Sequence, residues 1–506
     1  MPLRRRLRRR GLLLALLAGH AGALYDPAQK IESARIYGNI GDYAYYFVDI
    51  LVGTPPQRVS VILDTGSGII AFPCASCSHC GAHIDAAFDL SRSSTAVWQP
   101  CGSECVGSCS GARCAYHQGY VEGSAVNGYW FQDFVAIGDT IQQNPAVSGR
   151  MGCHEDENKL FYTQKANGIL GIGPRSRQGR TLLQELYKDT THVRSSIFAI
   201  CLSEEGGQLT VGGHNASFHT GPVHYLDLDM RLNSYGVALH AMELGGRVIH
   251  ADFGRTIIDS GTTYTYLSTA AYRALRGGIE SHCRGAGDCG AAHAGNCWNV
   301  PGGEAGLGRF PTVDTVFGSV RAAWVPQAYL YRSRKGGSRW CYSFFDDGPK
   351  SKTVLGASWM LHKDVVFDVE SAKVGLAPAT CPRYLERPPP PNPGAGPGSP
   401  PWVAALAFAS GLALWGWACS CYTPARVRDA AQRESARGGH KFGASEPPPP
   451  RVVYGQVTVG EAPHRARGSQ RPPGRQSDRR QDDHRRASSA HGSQRPPRGQ
   501  SDRRQD

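Results

Sequence analysis

The sequence predicts an all-β, bilobal fold with a Cys-rich insertion in its N-terminal lobe, then a C-terminal transmembrane helix and a disordered tail. Three observations carry this. The apolar run Val61-Ile62-Leu63-Asp64-Thr65-Gly66-Ser67 recurs 195 residues later as Thr256-Ile257-Ile258-Asp259-Ser260-Gly261-Thr262. About 100 residues after each copy comes an apolar-apolar-Gly unit, Ile169-Leu170-Gly171 and Val354-Leu355-Gly356. A half-chain duplication of this kind implies two similar lobes with a cleft between them. Third, Trp402 to Tyr422 is a 21-residue run without a charge.

The elements follow in chain order. Residues 1–10 carry six Arg, Leu12 to Ala18 is apolar, and Ala21-Gly22-Ala23 offers a cleavage site, so residues 1–23 read as a signal peptide. Residues 24–387 form the globular part, with lobes over about 34–200 and 201–382. Residues 388–401 hold eight Pro in 14 positions, a stiff stalk. At about 1.5 Å per residue the 402–422 run spans close to the ~30 Å hydrocarbon thickness of a bilayer. Trp402, Trp415, Trp417 and Tyr422 suit its interfaces, and Arg426 and Arg428 put the tail in the cytosol. The tail, 423–506, is rich in Pro, Arg, Gln and Ser, and repeats Gly468 to Pro473 at Gly492 to Pro497, which predicts disorder.

Charge narrows the function classes. The chain of 506 residues is formally +13. The first ten residues contribute +6 and the tail +9, which leaves the body at −2. A basic nucleic-acid-binding domain is thereby excluded for the globular part.

The duplicated turns suit one chemistry. Each strand delivers an Asp into a buried turn, and Gly66 and Gly261 let the turns approach closely. Thr65 and Ser260 are placed to hydrogen-bond across the lobes. Ser67 and Thr262 are placed to donate to the outer oxygens of Asp64 and Asp259. Two carboxylates about 3 Å apart share one proton. The ionised one takes a proton from water and the neutral one donates to a substrate carbonyl, which hydrolyses an amide without a covalent intermediate.

With these motifs the sequence resembles the pepsin-like aspartic proteases, over roughly Ala34 to Pro382. Tyr45-Tyr46-Phe47-Val48, Val52 to Gln57, Gly207 to Gly213, Val366-Phe367-Asp368 and Lys373 to Ala377 support the likeness. The resemblance implies a mostly antiparallel fold and a flap hairpin over the cleft. Gly119-Tyr120-Val121-Glu122-Gly123-Ser124 fits that flap, with strands Cys114 to Gln118 and Gly128 to Val135, and Tyr120 as its Tyr. Ala71 stands where many members carry a Trp that supports the flap Tyr, so flap support is expected to differ.

The Cys-rich insertion, the short stretch Leu24 to Asp42 between the expected cleavage site and the first strand, the missing Trp and the C-terminal anchor resemble the plasmepsin V group more narrowly. That likeness implies cleavage after Leu in an Arg-x-Leu motif, with Glu122 and Gln164 binding the substrate Arg. Val121 stands where that group has a Cys. A carboxylate at the flap tip is in itself a partner for a guanidinium.

The chain has 16 Cys. Cys419 and Cys421 fall at the predicted membrane edge. The other 14 are Cys74, Cys77, Cys80, Cys101, Cys105, Cys109, Cys114, Cys153, Cys201, Cys283, Cys289, Cys297, Cys341 and Cys381. His79 and His83 beside C-x2-C-x2-C permit a metal reading, but an oxidising lumen favours disulfides. Seven bridges are expected. Their pairing is not readable, although Cys297–Cys341 would fit a bridge of the resembled family. Asn215-Ala216-Ser217 is an acceptor for glycosylation. His214, His219 and His224 are expected on the surface, and no metal or other cofactor is expected.

The reading is a single-pass type I aspartic endopeptidase with polypeptide substrates and a monomeric catalytic domain. The endoplasmic reticulum is its expected site, with Golgi, endolysosome or plasma membrane as alternatives. The alternative functions are a broader processing or degradative protease of the nepenthesin type, and a catalytically silent peptide-binding receptor.

Overall fold

The computed structural model describes residues 25–120, 123–139, 146–176, 179–230, 233–285, 289–293, 295–333, 338–349, 352–389 and 457–458. The segment 1–23, Glu122, the run 402–422 and nearly all of 423–506 lie outside them. No helix among the described residues is long and apolar enough to cross a membrane.

Strands dominate, and most pairings are antiparallel. The strand Ile31–Asn39 pairs with Tyr45–Val52 and, on its other edge, with Gly207–Val211. Gly207–Val211 closes a hairpin with Ile197–Leu202, which in turn pairs with Lys363–Asp368. Lys363–Asp368 pairs with Lys373–Pro378. The two halves of the chain therefore share a sheet, joined where Ile197–Leu202 pairs with Lys363–Asp368. Phe198 and Phe367 stack at its centre with ring centroids 4.6 Å apart, and Tyr235 lies 4.6 Å from Phe367. Such aromatic pairs add about 0.5–1.5 kcal/mol each beyond their buried area.

In the second half, Tyr235–Val237, Thr256–Ile258, Thr353–Leu355, Thr265–Leu267 and Phe344–Asp346 form a five-stranded sheet. The strands that reach the candidate site are buried on both faces, and their runs of Val, Ile and Leu are the composition such strands require.

The fold is less purely β than expected. Helices occur at Lys159–Thr163, Leu182–Leu186, Thr269–Gly285, Pro326–Tyr329 and Ala357–Met360. The 17-residue helix Thr269–Gly285 buries Ala271, Leu275 and Ile279, one residue per turn. Its pair Gly277-Gly278 disfavours helix locally. Packing decides it: a Cβ on Gly278 would lie 2.6 Å from the Leu244 side chain. A two-residue strand, Val457–Thr458, runs antiparallel against Gly119 and Tyr120.

Candidate active site

Each half presents the same loop. The strand Gln57–Asp64 runs parallel to Gly168–Gly171, with Gly171 opposite Asp64. Thr256–Ile258 runs parallel to Thr353–Leu355 in the same way. The two glycine units fix these loops. A Cβ on Gly171 would lie 2.4 Å from Ile69 N, and one on Gly356 would lie 2.2 Å from Tyr264 O. No side chain fits at either position. The Ile172 N–H donates to Asp64 O at 2.8 Å, and the Asp259 N–H donates to Leu355 O at 3.0 Å.

Asp64 and Asp259 are both fully buried and face each other. Gly66 N–H donates to Asp64 Oδ1 at 2.8 Å, and Gly261 N–H to Asp259 Oδ1 at 3.0 Å. Ser67 Oγ donates to Asp64 Oδ2, and Thr262 Oγ1 to Asp259 Oδ2 at 2.7 Å. A Cβ on Gly261 would lie 2.2 Å from Asp64 Oδ1, which measures how tightly the loops meet. Crossed bonds hold them: Ser260 N–H donates to Thr65 Oγ1 at 2.9 Å, and Thr65 N–H to Ser260 Oγ at 3.1 Å. Thr65 Oγ1 donates onward to Ile258 O at 3.2 Å, and Ser260 Oγ to Leu63 O at 2.8 Å.

Burial pushes the Asp64 carboxyl far above the usual carboxylate range, and the charge of Asp259 adds to this. Burial also raises Asp259, against the pull of Thr262 and Asp64. Loss of hydration disfavours a charge here, and two charges more so, so the pair holds one proton between two acids. The arrangement supplies a base and an acid within reach of one bound molecule.

The flap is longer than its motif suggested. Its strands are Arg113–Tyr120 and Ala125–Ile137; where they meet, Tyr120 N–H donates to Ser124 O at 2.9 Å and Gly123 takes φ +87°. Ser124 and Tyr120 are buried. The expectation at Ala71 is answered: Ala71 lies in one apolar cluster with Tyr120, Trp130, Phe161 and Ala166. The Tyr120 ring lies 4.9 Å from that of Phe161. Support for the flap Tyr thus comes from the short helix Lys159–Thr163. No sequence pattern marked Phe161, because a five-residue helix carries too little periodicity to read.

Gln164 caps that helix and is buried; its Nε2 donates to Ala166 O at 3.0 Å, and its Oε1 has no hydrogen-bond partner among the described residues. Glu122 lies outside the described residues. The 14 cysteines form Cys74–Cys153, Cys77–Cys80, Cys101–Cys109, Cys105–Cys114, Cys201–Cys381, Cys283–Cys289 and Cys297–Cys341. Among the described residues no group of three or more His, Cys, Asp or Glu is arranged to hold a metal. His219 is not a surface residue as expected: its side chain is 8% exposed and its Nε2 meets Asp364 Oδ2 at 2.7 Å. Asn215 Oδ1 accepts from Ser217 N–H at 3.1 Å in a local turn.

Two buried carboxylates on matched loops, locked together by crossed hydrogen bonds, are the site of an aspartic protease. The chain belongs to the eukaryotic aspartyl protease family, whose model matches residues 45–379. It is 40% identical over 430 residues to Aspartic protease 5 of Toxoplasma gondii, a match covering 73% of this chain and 40% of that protein. It is 26% identical over 452 residues to Plasmepsin V of Plasmodium falciparum, covering 69% and 74%. Mouse Pepsin A-5 is 27% identical over 368 residues, covering 70% and 85%. The chain thus spans well under half the length of the first of these relatives.

Proposed function

We propose that the protein is a membrane-anchored aspartic endopeptidase of the secretory pathway that cuts polypeptides after the Leu of an Arg-x-Leu motif. The observation that carries the catalytic part is the Asp64–Asp259 pair, held by the crossed Thr65 and Ser260 bonds. The ionised carboxylate takes a proton from a bound water, and the water oxygen bonds to the scissile carbonyl carbon. The neutral carboxyl donates its proton to the carbonyl oxygen. The tetrahedral diol then loses its C–N bond as the amine leaves with a proton, giving an acid and an amine. Tyr120 and the flap close over the peptide and orient it.

The specificity part rests on the flap's likeness to the plasmepsin V group. Glu122 would pair with the substrate guanidinium, and the unpartnered Gln164 Oε1 is a second acceptor for its N–H groups. The anchoring part rests on the 402–422 run and the flanking Arg residues. A span there would place residues 457–458 across the bilayer from the flap, so the anchored form excludes their pairing with Gly119 and Tyr120.

The test is cleavage of two peptides, one with Arg-x-Leu and one with Ala-x-Leu, by the full chain in detergent, with Asp64→Ala as blank. Cleavage after Leu that needs the Arg is expected, and Glu122→Ala should erase the preference. Equal cleavage of both would leave a broad protease. No cleavage by a folded chain between pH 4 and 8 would leave a peptide receptor.

A further inference from the structure

A buried cluster lies behind the flap that the dyad chemistry does not use. Glu157 ends the strand Val147–Glu157 and is fully buried. Its Oε1 meets His154 Nδ1 at 2.7 Å, and its Oε2 meets His83 Nε2 at 3.0 Å. Gly81 N–H also donates to Oε2, at 3.1 Å. Cross-links fix both approaches: Cys153, bridged to Cys74, precedes His154, and Cys80, bridged to Cys77, lies just before Gly81 and His83.

The segment 158–164 follows Glu157 directly and meets the flap at three points. Ala125 N–H donates to Asn158 Oδ1 at 2.8 Å, and Asn158 N–H to Ala125 O at 3.2 Å. The Phe161 ring packs on Tyr120. A Cβ on Gly123 would lie 2.6 Å from Lys159 Nζ. At the far end of the segment, His83 Nδ1 meets Gln164 O at 3.2 Å.

We propose that His83 and His154, bridged by Glu157, are positioning residues that hold segment 158–164 beneath the flap, and that protonation of His154 releases it. Both nitrogens of His83 face oxygens, Glu157 Oε2 and Gln164 O, so this ring ties the carboxylate to the far end of the segment. His154 donates from Nδ1, and its Nε2 has no partner among the described residues. A proton there adds a buried N–H without an acceptor among the described residues. Burial accordingly holds His154 below its ordinary value, against the pull of Glu157. Burial alone would raise Glu157, but the bonds from His154 and His83 carry it down to about 2.

Other ionisable groups near the cluster are already engaged or stay neutral. Tyr116, on the first flap strand, lies 6.4 Å ring to ring from His154, and burial pushes its hydroxyl far up. Asp156 meets His79 and Asn127, each at 3.1 Å, and Glu155 accepts from Ser76 Oγ at 2.6 Å. Lys159 is exposed.

The sign follows from the lowered His154. The latch is intact above the ordinary histidine range and fails as pH falls through the folded-state value.

The test compares wild type, His154→Asn and His154→Ala as full chains between pH 5 and 8. Asn places an amide N–H where Nδ1 donates and does not titrate there. KM for the Arg-x-Leu peptide and the amide protection factors of residues 113–137, which divide out the intrinsic pH dependence of exchange, are read in the same buffers. The KM of the wild type should rise about tenfold, and the protection of its flap amides should fall, as pH drops to 5. The Asn variant should match wild type at pH 8 and stay flat. The Ala variant should show high KM and fast exchange throughout. Wild-type flap protection that does not change with pH, or an Asn variant that follows wild type, overturns the proposal. The kinetic arm rests on the protease reading. The exchange arm does not, so failure of one reading leaves the other measurable.

Discussion

Thr65 and Ser260, 195 residues apart, hold each other's backbone: each side-chain oxygen accepts the other's N–H, at 2.9 and 3.1 Å. All four atoms are buried, so neither N–H has water as a substitute. Thr65→Val strands the Ser260 N–H and should cost about 1–3 kcal/mol. In denaturant unfolding, the double variant with Ser260→Ala should lose less than the sum of the two single losses, since they act on one unit. Additive losses would mean that the crossed bonds are independent.

Asp64→Asn removes the carboxylate while keeping its shape. Peptide cleavage should fall by at least about 10²–10⁴-fold, the range for a lost general acid or base. Thermal stability should hold or rise, because a buried pair of repelling acids becomes an acid and an amide. Activity within tenfold of wild type would remove Asp64 from the chemistry.

Gly261→Ala is the smallest change that disturbs the pair. The new methyl would lie 2.2 Å from Asp64 Oδ1, so the loops must separate. The variant should fold, bind peptide more weakly and show almost no turnover. Normal kcat with normal KM would show that the loops tolerate spreading.

Lys363 gives a pH test away from the site. It is buried, its ammonium faces Trp359 O at 2.9 Å and Leu361 O at 3.4 Å, and burial lowers it to about 7. The folded state therefore resists protonation that the unfolded chain accepts. Stability should rise with pH between about 7 and the ordinary lysine value, and the penalty is full below 7. Lys363→Met should raise the melting temperature most below pH 7, and its advantage should shrink toward pH 10. An advantage independent of pH would mean that Lys363 stays charged in the fold.

The dyad and its supports were legible because each is local. An Asp, a small residue at the next position and a hydroxyl three on make one turn, and the duplication showed that the turn occurs twice. Tyr120 was named through the family resemblance of the segment around it. Phe161 was not, since its role depends on where a five-residue helix packs. His83, His154 and Glu157 were also hidden: 74 residues separate His83 from its carboxylate, and nothing in either local pattern names the partner. His83 drew notice only for its cysteine neighbours.

The sequence by itself determined the two strand-and-turn units, the acid in each, the hydroxyls that attend them and the uneven placement of charge. These follow from side-chain chemistry within a few residues, where chain connectivity sets the distance. Tertiary structure alone decided six of the seven disulfide pairings, the resemblance having pointed only to Cys297–Cys341, and with them the fate of Gly277-Gly278 inside a helix and the packing of Phe161 on the flap Tyr120. It also closed Glu157 between two histidines. Each of these is a choice among many remote partners, settled by which packing buries the apolar surface and leaves the fewest polar atoms unpaired.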